Sequence, residues 1–270
     1  MSAPATTSAS AAPAGVVAET ELAPGLLRWT ITHPDKRNAV TPAMLAWIAE
    51  RANSLTGEIV LLEAAAGPCF CAGFDLGALP EGQLEADAAA PDAPLIAAST
   101  ALQRADAVTL AVVHGDVFGA GVELVAACDL RFAAPGVRFT VPAARLGVVY
   151  HAAGVALFHR VFGPALTRRL LLAADAVSAE EALAAGALAA IHPREALAAA
   201  AHQFAVRLRQ GAPLSLRAHR DLLRALDRGG PDADELAAHT RAREAAYTSD
   251  DLREGLRAAR ERRSPRFRGA

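Results

Sequence analysis

Two short, almost continuously apolar segments constrain the fold of this chain more than any other feature of its sequence. They are "EIVLLEAA" (58–65) and "VTLAVVHG" (108–115), and such runs are typical of strands covered on both faces. Each is followed by a glycine-containing segment that leads towards a helix. Two apolar runs joined by "APG" (15–32) predict an N-terminal hairpin, and helical patterns dominate from about residue 152. The pattern predicts an α/β fold of repeated β-β-α units followed by a helical tail.

Capping residues mark where several helices begin and end. Thr41 precedes Pro42 at the start of "TPAMLAWIAERANSL", which is the arrangement of an N-cap followed by proline at the first helical position. Ser178 and Glu181 have the spacing of a capping box, and Gly186 stands where that helix must stop.

We divide the chain into three parts. Residues 1–15 are rich in Ala, Ser, Thr and Pro and predict a disordered tail. Residues 16–205 form the α/β core, and residues 206–270 form a helical region with two helices. Within the core, residues 78–98 predict a loop or a marginal helix.

Composition excludes several classes of function. The net charge is −2 and no block of basic residues occurs, which argues against nucleic acid or an anionic membrane as the main partner. We expect no membrane span, because no apolar run reaches about 18–20 residues. The three cysteines, Cys69, Cys71 and Cys128, fit no zinc spacing, so we expect no metal and a reducing, cytoplasmic location. The N-terminal segment lacks the features of a secretory signal.

Two glycine-containing segments, "FCAGFDL" (70–76) and "FGAGVEL" (118–124), share one design. Each is expected to place a backbone N–H at a helix start after a buried strand, namely that of Phe74 and that of Ala120. Two such N–H groups facing one cavity form an oxyanion hole. The small residues Ala72, Gly73, Gly119 and Gly121 would allow close approach to the backbone. Nucleotide-binding folds are disfavoured, since neither G-x-G-x-x-G after the first strand nor a Walker A sequence occurs.

The chain resembles the crotonase (enoyl-CoA hydratase/isomerase) superfamily from about Val16 to Arg268. The resemblance is carried in order by "HPDKRNAVTPAM", "PCFCAGFDL", "AVVHGDVFGAGVELVAACDLRFAAPGVRFTVPAARLGV", "RRLLLAADAVSAEEALAAGALAAIHP" and "SDDLREGLRAARERRSPRFRG". It implies a spiral of β-β-α units, a C-terminal helical region that builds homotrimers or hexamers, and an acyl-CoA thioester as partner. Coenzyme A would be part of the substrate, and no separate cofactor is implied.

The resemblance also assigns roles to residues. Phe74 and Ala120 match the donors of the oxyanion hole, and Glu123 matches a catalytic acid. Coenzyme A would lie along the loop of Arg37, Asn38 and Ala39, where Arg37 could pair with a phosphate. Coenzyme A would also lie along the first glycine segment. The further residues predicted to bind the thioester are Cys71, Ala72, Gly73, Asp75, Leu76, Gly119, Gly121, Tyr150 and Arg268.

One departure from the family pattern affects the predicted reaction. Hydratases of the family carry a second glutamate in a Pro-Glu-x-x-x-G pattern, and the matching segment here is "VPAARLG", with alanine at position 143. Alanine cannot transfer a proton. Family members also commonly have proline and glycine where this chain has Tyr150 and His151.

Three interpretations follow from this departure. Glu123 acts alone as the proton carrier of an isomerase, a lyase or a poor hydratase. Alternatively, His151 or Tyr150 replaces the missing acid. Finally, the chain binds acyl-CoA without turning it over. A specialised crotonase, such as a decarboxylase or hydrolase, is a further alternative.

Overall fold

The structure is a computed structural model that describes residues 15–78 and 90–269. Its strands are β1 (Val16–Ala23), β2 (Leu26–Thr32), β3 (Thr56–Ala64), β4 (Cys69–Cys71), β5 (Asp106–Val113), β6 (Asp116–Phe118), β7 (Leu130–Ala133), β8 (Arg138–Thr140), β9 (Val177–Ser178) and β10 (Ala190–Ile191). Its α-helices are α1 (Pro42–Asn53), α2 (Ala93–Arg104), α3 (Ala120–Ala127), α4 (Ala143–Leu146), α5 (Ala152–Leu172), α6 (Ala179–Ala184), α7 (Arg194–Arg209), α8 (Pro213–Asp227), α9 (Ala233–Thr248) and α10 (Asp250–Glu261).

The strands form two sheets, and successive units of the chain contribute to both. The larger sheet has the order β1-β2-β3-β5-β7-β10, and the smaller has the order β4-β6-β8-β9. The pairs β2–β3, β3–β5, β5–β7 and β7–β10 are parallel, whereas β1 and β2 form the antiparallel hairpin that the sequence predicts. Each step from β3 to β8 places a long strand in one sheet and a short strand in the other. This spiral of β-β-α units confirms the predicted fold class.

The apolar segments that constrain the fold lie at the centre of the larger sheet. In β3 and β5 the residues Ile59–Leu62 and Leu110–Val113 are buried, as expected for strands with helices on both faces. The predicted helix starts are also confirmed. Thr41 accepts a hydrogen bond from the N–H of Met44, and Ser178 and Glu181 form both bonds of a capping box.

Three predictions about elements need correction. The segment after Phe74 contains a single 3-10 turn, Leu76–Ala78, within the described part of the chain, so the N–H of Phe74 does not begin an α-helix. Helix α2 begins at Ala93, inside the segment predicted as a loop or marginal helix; residues 79–89 of that segment lie outside the described residues. The helical region after α7 contains three helices rather than two.

Helix α7 runs without interruption across the predicted division at residues 205 and 206. The next helix, α8, contacts the core through the side chain of Arg224. Its guanidinium donates to both carboxylate oxygens of Asp129, at 2.7 and 2.8 Å, and to the carbonyl oxygens of Ala105 and Ala107. Asp129 also accepts from the backbone N–H and hydroxyl of Thr109. Asp129 therefore has a structural role.

The described residues contain no helix that is long and apolar enough to cross a membrane. Within the same residues, no three His, Cys, Asp or Glu side chains are grouped as in a metal site.

Candidate active site

The two glycine turns lie side by side because the strands that precede them are neighbours. β4 ends at Cys71 and β6 ends at Phe118, and the two strands pair in parallel with Cys71 opposite Val117. The carboxyl ends of neighbouring parallel strands open at the same edge of a sheet. Both turns were predicted to follow buried strands, but the sequence pattern does not distinguish β6 as a separate strand.

Gly73 brings the two turns into contact. Its φ is +97°, which only glycine adopts readily. A methyl group added to Gly73 would lie 3.2 Å from the carbonyl oxygen of Phe118 and 3.9 Å from the amide nitrogen of Ala120. The N–H of Ala120 belongs to the first residue of α3 and has no partner within the helix. The backbone next to Phe74 is fixed by two hydrogen bonds, from Val40 to the carbonyl of Gly73 and from Asp75 to the carbonyl of Val40.

Cys71 and Gly121 support the turns from behind. Both are buried, and a methyl group added to Gly121 would lie 2.7 Å from the Cβ atom of Cys71. Their contact lets α3 approach β4 closely. Gly119 has a φ of +45° and precedes the first residue of α3, whereas Ala72 is partly exposed and donates its N–H to the carbonyl of Arg37. In the structure Cys71 and Gly121 determine the shape of the turns. Their direct contact with a ligand stays a prediction.

Glu123 is a buried carboxyl group on a buried helix. Every residue of α3 is buried, and Glu123 is 0% exposed. A solvent-facing role is therefore excluded. Burial raises the pKa of Glu123 above the ordinary carboxyl value, while hydrogen bonds from Ser99 and His151 act in the opposite direction. The Ser99 hydroxyl on α2 donates to Oε1 of Glu123 at 2.6 Å. Ser99 was not predicted, because nothing in the local pattern of α2 indicates a contact with a residue 24 positions later.

His151 contacts Glu123 directly, and its replacement of the missing acid stays a prediction. Its Nε2 atom is 3.1 Å from Oε1 and 3.2 Å from Oε2 of Glu123. Its Nδ1 atom accepts a hydrogen bond from the N–H of Gly154 and so caps α5. An acceptor nitrogen carries no hydrogen, so the neutral ring with its hydrogen on Nε2 satisfies both contacts. In this state His151 donates to the carboxylate of Glu123.

Tyr150 packs in the same chamber. Its ring stacks on His151, with centroids 5.6 Å apart, and contacts Phe158 at 5.2 Å. A methyl group added to Gly154 would lie 2.9 Å from the Tyr150 ring and 3.0 Å from that of His151, so glycine is needed where both rings meet α5. Burial, and next the charge of Glu123, raises the pKa of Tyr150 well above its ordinary value.

Ala143 is the first residue of α4 and is 8% exposed. The position of the second family glutamate is therefore occupied by a small apolar side chain at the start of a one-turn helix. Ser99 and His151 both bond to the carboxylate of Glu123, and no second carboxylate among the described residues joins this group.

The loop predicted to hold coenzyme A lies beside the first turn. Arg37 and Asn38 both have a positive φ, of 52° and 59°. Asn38 is buried, with its amide nitrogen donating to the carbonyls of Ala65 and Cys69, so its side chain holds the loop in shape. Ala39 is buried as well, whereas Arg37 is exposed and available to an anion. These placements leave Arg37 as the side chain of this loop that can reach a phosphate.

Of the remaining predicted residues, two lie at the first turn and one lies near the end of the chain. Asp75 accepts from the N–H of Gly77 and pairs with Lys36 at 3.6 Å, so it orders the first turn. Leu76 is 58% exposed beside that turn. Arg268 is exposed near the end of the chain, where its backbone N–H donates to Asp251. The structure brings Arg268 to α10 rather than to the two turns, and its contact with coenzyme A stays a prediction.

Comparison with known proteins identifies one family. A family model described as enoyl-CoA hydratase/isomerase matches residues 21–270. Methylmalonyl-CoA decarboxylase of Escherichia coli (strain K12) is 30% identical over 212 residues, which are 78% of this chain and 80% of that protein. The 2,3-dehydroadipyl-CoA hydratase of the same organism is 29% identical over 247 residues, which are 90% of this chain and 95% of that protein. The crystal structure of an enoyl-CoA hydratase/carnithine racemase from Magnetospirillum magneticum superposes with a TM-score of 0.84 at 28% identity, covering 94% of this chain and 96% of that one.

The chain therefore belongs to the enoyl-CoA hydratase/isomerase family, the crotonase superfamily. This membership confirms the resemblance found in the sequence. It supports an enzyme of the crotonase family, and an acyl-CoA substrate is consistent with it.

Proposed function

We propose that the protein catalyses a proton transfer on an acyl-CoA thioester through an enolate, with Glu123 as proton carrier. The observation that carries this proposal is the buried carboxyl group of Glu123 on the helix that begins at the second glycine turn. The thioester oxygen would lie between the N–H groups of Phe74 and Ala120. A carboxylate removes the proton next to the carbonyl carbon, the C–H electron pair moves towards the thioester oxygen, and the two N–H groups stabilise the negative charge.

The hydrogen bonds of Glu123 suit it to this role. Burial makes its carboxylate a stronger base than an exposed one, because the pKa is raised. Oε1 accepts from both Ser99 and His151, whereas Oε2 shares only the longer contact from His151. Oε2 is therefore the oxygen with the freer lone pairs, and we assign the proton transfer to it.

The substitution at position 143 disfavours ordinary hydration. Addition of water by the family route uses two carboxylates, and the family position of the second one is Ala143 in this chain. Proton shuttling between carbons, as in a double-bond isomerase, needs only one base. His151 supports Glu123 in this scheme by donating from Nε2, which is a positioning role rather than that of a second acid.

A decarboxylase is the second candidate, and two observations favour it. Methylmalonyl-CoA decarboxylase of Escherichia coli is among the relatives at 30% identity. Loss of carbon dioxide also forms an enolate that the same two N–H groups could hold, and it needs no second carboxylate. The alternative that is not an enzyme is a homologue that binds acyl-CoA without converting it.

Solvent deuterium exchange tests the proposal directly. Butyryl-CoA incubated in D₂O should gain deuterium at the carbon next to the thioester, as followed by mass spectrometry, and crotonyl-CoA and longer enoyl-CoAs should show double-bond migration. Glu123→Gln should slow exchange by about 10²–10⁴-fold while thioester binding by calorimetry is kept.

Glu63→Gln is the matched control, because burial raises the pKa of Glu63 too, while Glu63 lies on β3 away from the turns. It should exchange at the wild-type rate. Binding of CoA thioesters without exchange or turnover would favour the non-catalytic alternative, and absence of binding would refute the proposal as a whole. Unchanged exchange in Glu123→Gln would move the chemistry to another residue.

A further inference from the structure

The hydroxyl group of Tyr150 is a buried donor that makes no hydrogen bond of normal length and angle to the described residues. Its oxygen is sealed from solvent, and its contact with the carboxylate of Glu123 is a loose one. Buried polar groups in folded proteins are nearly always paired, and an orphan hydroxyl destabilises the folded state. Such a group at the edge of a candidate active site indicates a partner that arrives with the ligand.

The hydroxyl lies close to the candidate catalytic carboxyl group. After burial, the groups that raise the pKa of Tyr150 are Glu123, Asp92 and Cys71, so the hydroxyl is within electrostatic reach of all three. These residues belong to α3, to the start of α2, and to the first glycine turn. Because the pKa is raised, the hydroxyl keeps its proton at neutral pH and acts as a donor.

Tyr150 is also the side chain that can move most easily to admit a ligand. Glu123 has no exposed surface, so a substrate reaches it only after a neighbour shifts. Ser99 and His151 are held by hydrogen bonds to Glu123, and His151 also caps α5. The Tyr150 hydroxyl gives up only its loose contact with Glu123 when it moves. The stretch before it, which includes Val149 at 92% exposure, is on the surface.

We propose that Tyr150 selects acyl groups that carry an oxygen atom at or next to the β position, because its hydroxyl donates a hydrogen bond to that oxygen. This inference rests on the proposed function, since it takes the thioester to bind at the two turns. An alkyl chain would displace the ring and offer the hydroxyl no acceptor. An oxygen-bearing chain supplies one.

The test compares ligands that differ by one atom. Methoxyacetyl-CoA has the chain length of butyryl-CoA, with oxygen in place of the β carbon, and it cannot undergo β-elimination. The wild-type protein should bind it about tenfold more tightly than butyryl-CoA, as measured by calorimetry. In Tyr150→Phe the two affinities should agree within about twofold. Malonyl-CoA in the same series distinguishes a neutral oxygen from a carboxylate as the preferred acceptor.

Stability provides an independent readout. Tyr150→Phe removes a poorly paired hydroxyl, so the variant should resist urea at least as well as the wild type. Tyr247→Phe is the matched control, because it alters the other tyrosine of the chain, which is 68% exposed on α9. It should change neither stability nor selectivity.

Two results would overturn the inference. Equal binding of butyryl-CoA and methoxyacetyl-CoA by the wild type would show that the hydroxyl takes no part in selection. A clear loss of stability in Tyr150→Phe would show that the hydroxyl is already well paired in the free protein. Either result leaves the proposed function standing if butyryl-CoA binds and exchanges deuterium, whereas failure of every thioester to bind would contradict the proposed function itself.

Discussion

At the scale of single residues, the site depends on what stabilises the charged form of one carboxyl group. Burial on α3 favours the protonated form of Glu123, whereas the hydroxyl of Ser99 and Nε2–H of His151 favour the carboxylate. The balance leaves the pKa raised, which keeps the group basic. Removing either donor should therefore move the pKa further upward.

Ser99→Ala tests this balance. Loss of the 2.6 Å hydrogen bond should raise the pKa of Glu123 and shift the acidic limb of the rate profile towards higher pH by about one unit. The sign follows because the proton transfer needs the carboxylate, and a higher pKa extends the range in which Glu123 is protonated. The measurement is kcat/KM against pH for double-bond migration or deuterium exchange.

Ser54→Ala is the control for this experiment, since Ser54 is exposed after α1 and bonds only to Arg51. Its profile should superpose on that of the wild type. A Ser99→Ala profile with the same midpoint, or one shifted to lower pH, would show that the hydrogen bond does not stabilise the charged form.

The sequence indicates candidate site residues more readily than it indicates their partners. Glu123, His151 and the two N–H positions stand next to glycine turns or in segments that match a family pattern, so their neighbours along the chain reveal them. Ser99 has no such signal, because it meets Glu123 only after α2 and α3 pack together. The structural role of Asn38 was hidden for the same reason, as its partners are carbonyls 27 and 31 residues away.

At the scale of elements, caps and apolar runs determined most of what could be predicted. The hairpin, β3, β5, α1 and α6 are specified by local patterns, and the structure has them as expected. The strands that pair in the smaller sheet are only two or three residues long, and short strands carry little periodicity. This is why β6 was not distinguished, although its pairing with β4 brings the two turns together.

The attachment of α8 to the core makes a prediction at this scale. Arg224→Met should destabilise the protein by about 3 kcal/mol or more in urea unfolding, because it leaves the half-buried carboxylate of Asp129 without its guanidinium partner. The carbonyls of Ala105 and Ala107 lose donors in the same variant.

Arg228→Met provides the comparison, four residues later on the same stretch. Arg228 pairs with Glu235 at the surface, where both side chains are more than a third exposed, and its loss should cost less than about 1 kcal/mol. Similar costs for the two variants would mean that α8 is held to the core by its apolar contacts rather than by the Arg224 network.

At the scale of the whole molecule, the C-terminal helices leave large apolar side chains uncovered in the single chain. Helix α9 has sixteen residues, none of them buried. Large apolar side chains are exposed on all three helices: Leu223 and Leu226 on α8, Leu236 and Tyr247 on α9, and Leu256 on α10. A helix of this length is marginal in water without packing. We therefore propose that these helices pack against other copies of the chain, as trimers or pairs of trimers.

Light scattering coupled to size exclusion measures this assembly. The 27.9 kDa chain should elute with the mass of three or six copies, and Leu236→Glu should lower that mass because a charge replaces an apolar side chain that is 53% exposed in the single chain. Val16→Glu, at an equally exposed apolar position on β1, is the control and should keep the wild-type mass.

Circular dichroism gives a second readout. Because α9 would lose its packing against other copies, the dissociated variant should show reduced helix content. A wild-type protein that is monomeric at micromolar concentration would contradict the prediction, and α9 would then have to be stable through its contacts with α8 and α10 alone.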